Sequence, residues 1–451
     1  MARCESQPST PNVFIATFTQ VVQRRELDGK GLVFVKSRSH PVKDIFTLCA
    51  VMLVLGSTIF PSVHTLSPVT PVLTGLNFPV SLKFSPDGRI FFNEKNTGDI
   101  RIILQNGTLL PTPFATVSPI FNGGEAGLLG IALDPSFVSN GYVYVYFNYR
   151  DSQSYTHGHI RRYTAAGNVG TSPLDLFDVI SSVPNSIYHN GGYIKFGPDG
   201  MLYAQVGEFH NDTRAQETSS TDGKMLRMSP DGSVPNDNPI PGSRVYAWGI
   251  RNAFGFDFDP SNDRLIATEA GPSAHDEINI IVKGGNYGWP ICSGICHNPS
   301  FIDPIVDLNP IVTPTGIAAV APNTYYFGEW NTGDLMRLEL AQNGSVNSTS
   351  QVYKQNGGII AVEMASNGKL YFSSPDAIYS YDVTAPVPPT TNIAVISLEV
   401  LAIIVASAAL VIVVFYYALR FRRTRTSNLL RPVKTLLLGV NPVPTRCAEI
   451  R

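Results

Sequence analysis

LKFSPDGRIFF, Leu82 to Phe92, is a complete hairpin written in one short stretch. An apolar strand runs into Pro86, which presets φ for a turn. Asp87 and Gly88 tolerate the positive φ that a tight hairpin requires, and a second apolar strand follows. The unit returns at Ile131 to Tyr146 (IALDPSFVSNGYVYVY) and Ile194 to Tyr203 (IKFGPDGMLY). Weaker copies stand at Phe256 to Ala267 (FDFDPSNDRLIA) and Val362 to Phe372 (VEMASNGKLYF). Alternation along each strand turns one side toward a core. Spread over about 320 residues, from Leu66 to Thr384, the repeats make room for six units of about fifty residues, a usual blade size. This predicts an all-β, six-bladed β-propeller. A pair of β-sandwiches would also space strands evenly, but the same Pro-Asp-Gly turn at corresponding places in successive units favours the propeller.

Composition agrees with turn-rich β structure. Of 451 residues only 15% are charged, while Gly (38) and Pro (34) are abundant. The formal net charge of −2 removes the basic footprint that nucleic-acid phosphates demand, so no nucleic-acid partner is expected. Five cysteines form neither a disulfide scaffold nor a zinc ribbon. Cys292 and Cys296, separated by a short Gly-containing loop, are expected to be joined in an oxidising compartment, with Cys4, Cys49 and Cys447 outside the globular region.

Two apolar runs flank the repeats. Residues 400–419 carry no charge and are followed by Arg420, Arg422, Arg423 and Arg425. That pattern predicts a transmembrane helix with a basic cytosolic tail over 420–451, joined to the propeller by a linker over 385–399. Residues 45–60 form a shorter run preceded by Lys36, Arg38 and Lys43, which reads as a signal-peptide core or a signal anchor, or alternatively as a buried core helix. Residues 1–44 are then an n-region or a cytosolic extension. The expected topology is single-pass in the cell membrane, with the propeller exoplasmic. Sequons at Asn106, Asn211, Asn343 and Asn347 all lie between the two runs, as glycosylation of an exoplasmic domain requires.

Polar residues stand out where propeller loops converge. His189 opens HNGGYIKFGPDG, and imidazole is the side chain suited to accept a hydroxyl proton near neutral pH. A single loop His is also often structural. Arg251 and Asn252 interrupt the apolar run YAWGIRNAFGFDFDP, either pairing with a carboxylate between blades or holding a polar ligand. In EAGPSAHDEINII, the Gly271–Pro272 turn offers main-chain carbonyls beside Asp276 and Glu277, hard oxygen donors of the kind Ca²⁺ takes.

The ordered series GEAGLLGIALDPSF, HNGGYIKFGPDGMLY, GKMLRMSPDG, WGIRNAFGFDFDP and EAGPSAHDEINII with GGNYGWP resembles the glucose/sorbosone dehydrogenase family. That family includes the soluble PQQ-dependent sugar dehydrogenases and the propeller of Hedgehog-interacting protein-like proteins. The resemblance covers about Pro79 to Tyr381 and implies the six-bladed fold independently. It further implies that His189 is the base for a sugar hydroxyl while hydride passes to PQQ. Arg251 and Asn252 would contact cofactor and substrate, and Gly271 and Pro272 would hold Ca²⁺.

Three positions depart from that pattern. Where catalytic members carry a Lys and two Arg facing the acidic cofactor, this chain has Asn331, Gly358 and Ile360. Losing three charge-assisted contacts to the carboxylates of PQQ would cost on the order of 5 to 9 kcal/mol. Two functions follow as expectations. One is a membrane-anchored extracellular sugar dehydrogenase with a degenerate cofactor site. The other is a non-catalytic cell-surface propeller that binds a glycan or protein ligand.

Overall fold

The computed structural model describes residues 68–384, 407 and 410–420. The described residues open with β1 (Val69–Thr74), followed by six inner-to-outer strand series. The first blade is β2 (Pro79–Phe84), β3 (Ile90–Glu94), β4 (Asp99–Ile103) and β5 (Ala115–Thr116). The second is β6 (Leu128–Leu133), β7 (Tyr142–Arg150), β8 (Tyr155–Ala166) and β9 (Val169–Pro184), with the one-turn helix α1 (Phe137–Asn140) inside its first hairpin. The third is β10 (Ile194–Phe196), β11 (Leu202–Val206), β12 (Lys224–Met228) and β13 (Val245–Trp248). The fourth is β14 (Ala253–Phe258), β15 (Leu265–Glu269), β16 (Asp276–Ile281) and β17 (Val306–Leu308). The fifth is β18 (Pro314–Ala321), β19 (Thr324–Glu329), β20 (Asp334–Leu340) and β21 (Val346–Lys354). The sixth is β22 (Val362–Met364), β23 (Leu370–Ser373) and β24 (Ala377–Tyr381).

Each series is one antiparallel four-stranded sheet, and β1 completes the sixth by pairing with β24, Val69 opposite Tyr381 and Thr74 opposite Ala377. The ring is therefore closed by backbone hydrogen bonds between the two ends of the propeller segment. The six-bladed reading stands.

All five recognised repeats are the hairpins between first and second strands of a blade. The sixth is Ile317 to Phe327, IAAVAPNTYYF, between β18 and β19. It escapes notice because its turn is just Pro322 and Asn323, shorter than in the recognised copies. The geometry explains what the turn needs: one residue of each first hairpin has positive φ, namely Gly88 (82°), Gly141 (66°), Gly200 (74°), Asp263 (58°), Asn323 (56°) and Gly368 (81°). Asn and Asp adopt that conformation at modest cost, so Gly is sufficient and not required.

Burial refines the expectation of one-sided strands. Every residue of β3, β11 and β15 is buried, because each blade is covered on both faces by its neighbours. Exposure appears only at the rim, where β9 and β21 carry long exposed stretches.

Down the axis, first strands contribute a closed polar network. Lys83 Nζ (β2) meets Glu363 Oε2 (β22) at 2.6 Å and donates to Tyr193 OH at 2.9 Å. Lys195 Nζ (β10) lies 2.5 Å from Asp257 Oδ1 (β14) and 3.6 Å from Glu363 Oε1. Asp257 Oδ2 accepts from the Ala319 amide of β18 at 3.0 Å. Ions buried this deeply are tolerable only as mutual partners, and here they tie five blades together.

The expected signal segment (45–60), linker (385–399) and residues 421–451 of the tail lie outside the described residues. Within the expected span, residues 407 and 410–419 are helical. No helix among the described residues is long and apolar enough to cross a membrane.

Candidate active site

First strands all run in one direction, so the residues just before them gather at one end of the ring. Second strands run oppositely and end at that same face. Glu125 (before β6), His189 (before β10) and Arg251 with Asn252 (before β14) thus converge from three blades.

Glu125 joins them. Its Oε2 accepts from the His189 backbone amide at 2.7 Å and from Asn252 Nδ2 at 3.1 Å. His189 is held in the left-handed region, φ 56°, a conformation a β-carbon-bearing residue adopts only when its surroundings enforce it. A Cβ on Gly207 would collide with the His189 carbonyl, so a glycine there lets the second-strand loop close on this segment. That loop presents Glu208, whose Oε1 lies 2.5 Å from His189 Nδ1. The His210 ring packs edge-on against His189, centroids 4.2 Å apart.

Electrostatics of the pair follow from burial. Desolvation raises the Glu208 carboxyl to about 8, while desolvation and the Arg251 guanidinium lower His189 to about 4. Both shifts favour an uncharged imidazole at neutral pH, with the proton of the Oε1–Nδ1 hydrogen bond on one partner or the other according to the state of Glu208. Nδ1 is the ring nitrogen of His189 that is engaged in a hydrogen bond among the described residues. When Glu208 is ionised, Nδ1–H points to it and Nε2 offers its lone pair, the state of a general base.

Arg251 lies 5.3 Å from the Trp289 ring centroid and donates through Nη1 to the carbonyls of Ala270 (2.9 Å) and Gly271 (3.0 Å). The Gly271 oxygen expected to hold Ca²⁺ is therefore already accepting from a guanidinium. Pro272 is exposed beside it. Asp276 is consumed by the backbone, accepting from the amides of Gly271 (2.7 Å), Val312 (2.6 Å) and Thr313 (2.6 Å). Glu277 accepts from the Gly294 amide at 2.7 Å and Asn279 Nδ2 at 2.9 Å, so it anchors the loop closed by the Cys292–Cys296 disulfide. Among the described residues no three His, Cys, Asp or Glu side chains are grouped to hold a metal. A Ca²⁺ ion would depend on main-chain carbonyls at Gly271 and Pro272.

The residues opposite are neutral. Asn331 is exposed, with its amide donating to the Val312 carbonyl at 3.0 Å. Ile360 is buried. Gly358 lies under the Trp330 indole, which a Cβ would strike. For a planar acidic quinone, the fit is on the Arg251 side: Arg251 Nε and Asn252 Oδ1 are buried without partners, which is what a ligand with its own acceptors and donors would satisfy.

Asn106, Asn343 and Asn347 are exposed. Asn211 is partly buried, and its Nδ2, the atom a glycan would take, donates to Ser182 Oγ at 2.9 Å.

Sequence reasoning singled out His189, Arg251 and Asn252, which the fold does bring together. It missed Glu125 and Glu208. Glu125 had a signal: a lone carboxylate in a Gly-rich stretch just ahead of an inner strand, the place His189 and Asn252 also occupy. Glu208 had none, since its role depends on a loop from the neighbouring strand folding back over His189.

The molecule is thus a six-bladed propeller with an imidazole–carboxylate pair on its loop face. Residues 76–377 match the Glucose / Sorbosone dehydrogenase family, and the chain belongs to it. It is 36% identical over 254 residues to quinoprotein glucose dehydrogenase B of Acinetobacter calcoaceticus, covering 49% of this chain and 52% of that protein. The structure of the PQQ-bound aldose sugar dehydrogenase of Streptomyces coelicolor is similar with a TM-score of 0.63 and 32% identity, over 70% of this chain and 97% of that one. Mouse Hedgehog-interacting protein is 31% identical over 205 residues, 39% of this chain and 29% of its own length. The chain spans about half the length of the first of these relatives.

Proposed function

We propose that the propeller oxidises a sugar hydroxyl, with His189 as the base and a PQQ-type quinone as hydride acceptor. The observation that carries this reading is the 2.5 Å His189–Glu208 contact, which engages the ring through Nδ1 and leaves Nε2 to face a ligand. In it, Nε2 takes the hydroxyl proton, and Glu208 at Nδ1 stabilises the imidazolium that forms. Glu125 fixes the backbone of His189 and the amide of Asn252 relative to one another. Arg251 and Asn252 would hold the quinone, Gly271 and Pro272 a Ca²⁺ ion. The quinone, when bound, supplies the two-electron acceptor that no side chain can provide.

The neutral wall of Trp330 over Gly358 favours a second reading, a propeller that binds a glycan through aromatic contact without turnover. Both readings place the propeller outside the cell, tethered through residues 400–419 with the basic tail inside.

The discriminating experiment is turnover of aldoses by the full chain with PQQ, Ca²⁺ and an artificial electron acceptor. His189→Ala should lower the rate by about two to four decades and leave sugar binding intact. Saturable sugar binding with no oxidation would give the site to the second reading.

A further inference from the structure

Lys95 stands at the end of β3, on the same face as the site, and neither the base nor the Arg251 side uses it. It is buried, 7% exposed. Its ammonium donates to Asn96 Oδ1 at 3.2 Å and lies 5.4 Å from the Phe78 ring centroid. No carboxylate lies within ion-pair distance of it among the described residues. Its surroundings hold it in place. The Lys95 amide donates to the Phe78 carbonyl at 3.0 Å, and its own carbonyl accepts from the Leu128 amide at 3.1 Å. A Cβ on Gly127 would strike the lysine stem. Asn96 is itself fixed, its Nδ2 donating to Asn77 Oδ1 at 2.9 Å, which turns its oxygen toward Lys95.

A buried ammonium has three protons to place and a high cost for leaving them unmatched. Burial lowers the Lys95 ammonium below its ordinary range, and Glu125 opposes that shift. The Lys95 carbonyl and stem pack on Leu128 and Gly127, two to three residues on from Glu125, the carboxylate shared by His189 and Asn252, so Lys95 stands beside the site on the first blade while Arg251 stands on the fourth. A cation held in this way, short of acceptors, is complementary to an anion arriving from outside.

We propose that Lys95 anchors a carboxylate of the bound ligand, in place of the cations missing at 331, 358 and 360. The carboxylate belongs either to the quinone cofactor or to an acidic sugar. The proposal deepens the dehydrogenase reading and rests on its placing of the ligand on this face.

Calorimetry on the full chain tests it without turnover, using PQQ alone, D-glucuronate alone, and D-glucose as the neutral comparison. Lys95→Met should weaken a carboxylate probe about tenfold or more and leave glucose unchanged, whereas Lys95→Arg should retain affinity. A loss confined to PQQ assigns the anchor to the cofactor, and a loss confined to glucuronate assigns it to the sugar. Lys95→Met should also raise the thermal midpoint of the ligand-free chain, since it removes a buried charge lacking a counter-ion. A structural lysine would do the reverse. Unchanged carboxylate affinity in Lys95→Met, no carboxylate binding by the unmodified chain, or a lowered midpoint overturns the proposal. Because binding is read directly, anchored carboxylate without sugar oxidation would sink the dehydrogenase reading and leave Lys95 standing.

Discussion

Replacing Glu208 by Gln isolates the proton that governs the base. With the Glu208 carboxyl raised to about 8 and His189 lowered to about 4, the pair keeps its shared proton through neutrality. Below that transition Glu208 donates to Nδ1 and the ring proton sits on Nε2, which cannot then accept from a hydroxyl. Above it, the carboxylate accepts from Nδ1–H and Nε2 is free. Base-dependent turnover should therefore rise as the pH passes upward from neutrality through the Glu208 transition. Glu208→Gln removes the titrating partner, and the low affinity of His189 for a second proton persists because burial and Arg251 cause it. The variant should show a flat profile from about pH 7 to 9. Nitrogen-detected NMR of the His189 ring reads the same event without cofactor: a tautomer change near pH 8 in the unmodified protein and none in the variant. A transition that survives in Glu208→Gln, or is missing from the unmodified protein, refutes the assignment of the shared proton.

Glu363→Gln should destabilise the propeller by about 3 to 5 kcal/mol, because it leaves Lys83 buried without a carboxylate while Lys195 keeps Asp257. Denaturant titration would measure it, and an unchanged midpoint would mean that the axial network relaxes at no cost. Gly358→Arg should expel the Trp330 indole, seen as a change in tryptophan emission, since no room for a Cβ exists beneath the ring. An unaltered spectrum would remove the aromatic wall from the glycan-binding reading. For topology, protease applied to intact cells should degrade the propeller and spare a C-terminal tag. A protected propeller would reverse the orientation.

Local chemistry was enough to specify the blades. The hairpin code at Leu82 to Phe92 acts over a few bonds: Pro presets φ, Asp or Asn or Gly takes the positive φ, and apolar runs flank the turn. Five of the hairpins were legible for that reason, and the number of units followed from length. The hairpin at Ile317 to Phe327 was passed over because its turn is only Pro322 and Asn323, the latter at φ 56°, where the recognised copies have turns of five residues or more. Cys292 and Cys296 were legible as a pair because their separation in the chain is itself short. His189, Arg251 and Asn252 could be named from their residue types in turn-rich contexts. What they do could not. Glu125 reaches from the second blade to His189 of the third and Asn252 of the fourth, while His189 meets Glu208 within the third blade and Arg251 takes the Gly271 carbonyl within the fourth, each through a loop that folds back over its own sheet. Burial then raises Glu208 and lowers His189, so it is tertiary structure, through desolvation, that decides which of these side chains carries the proton.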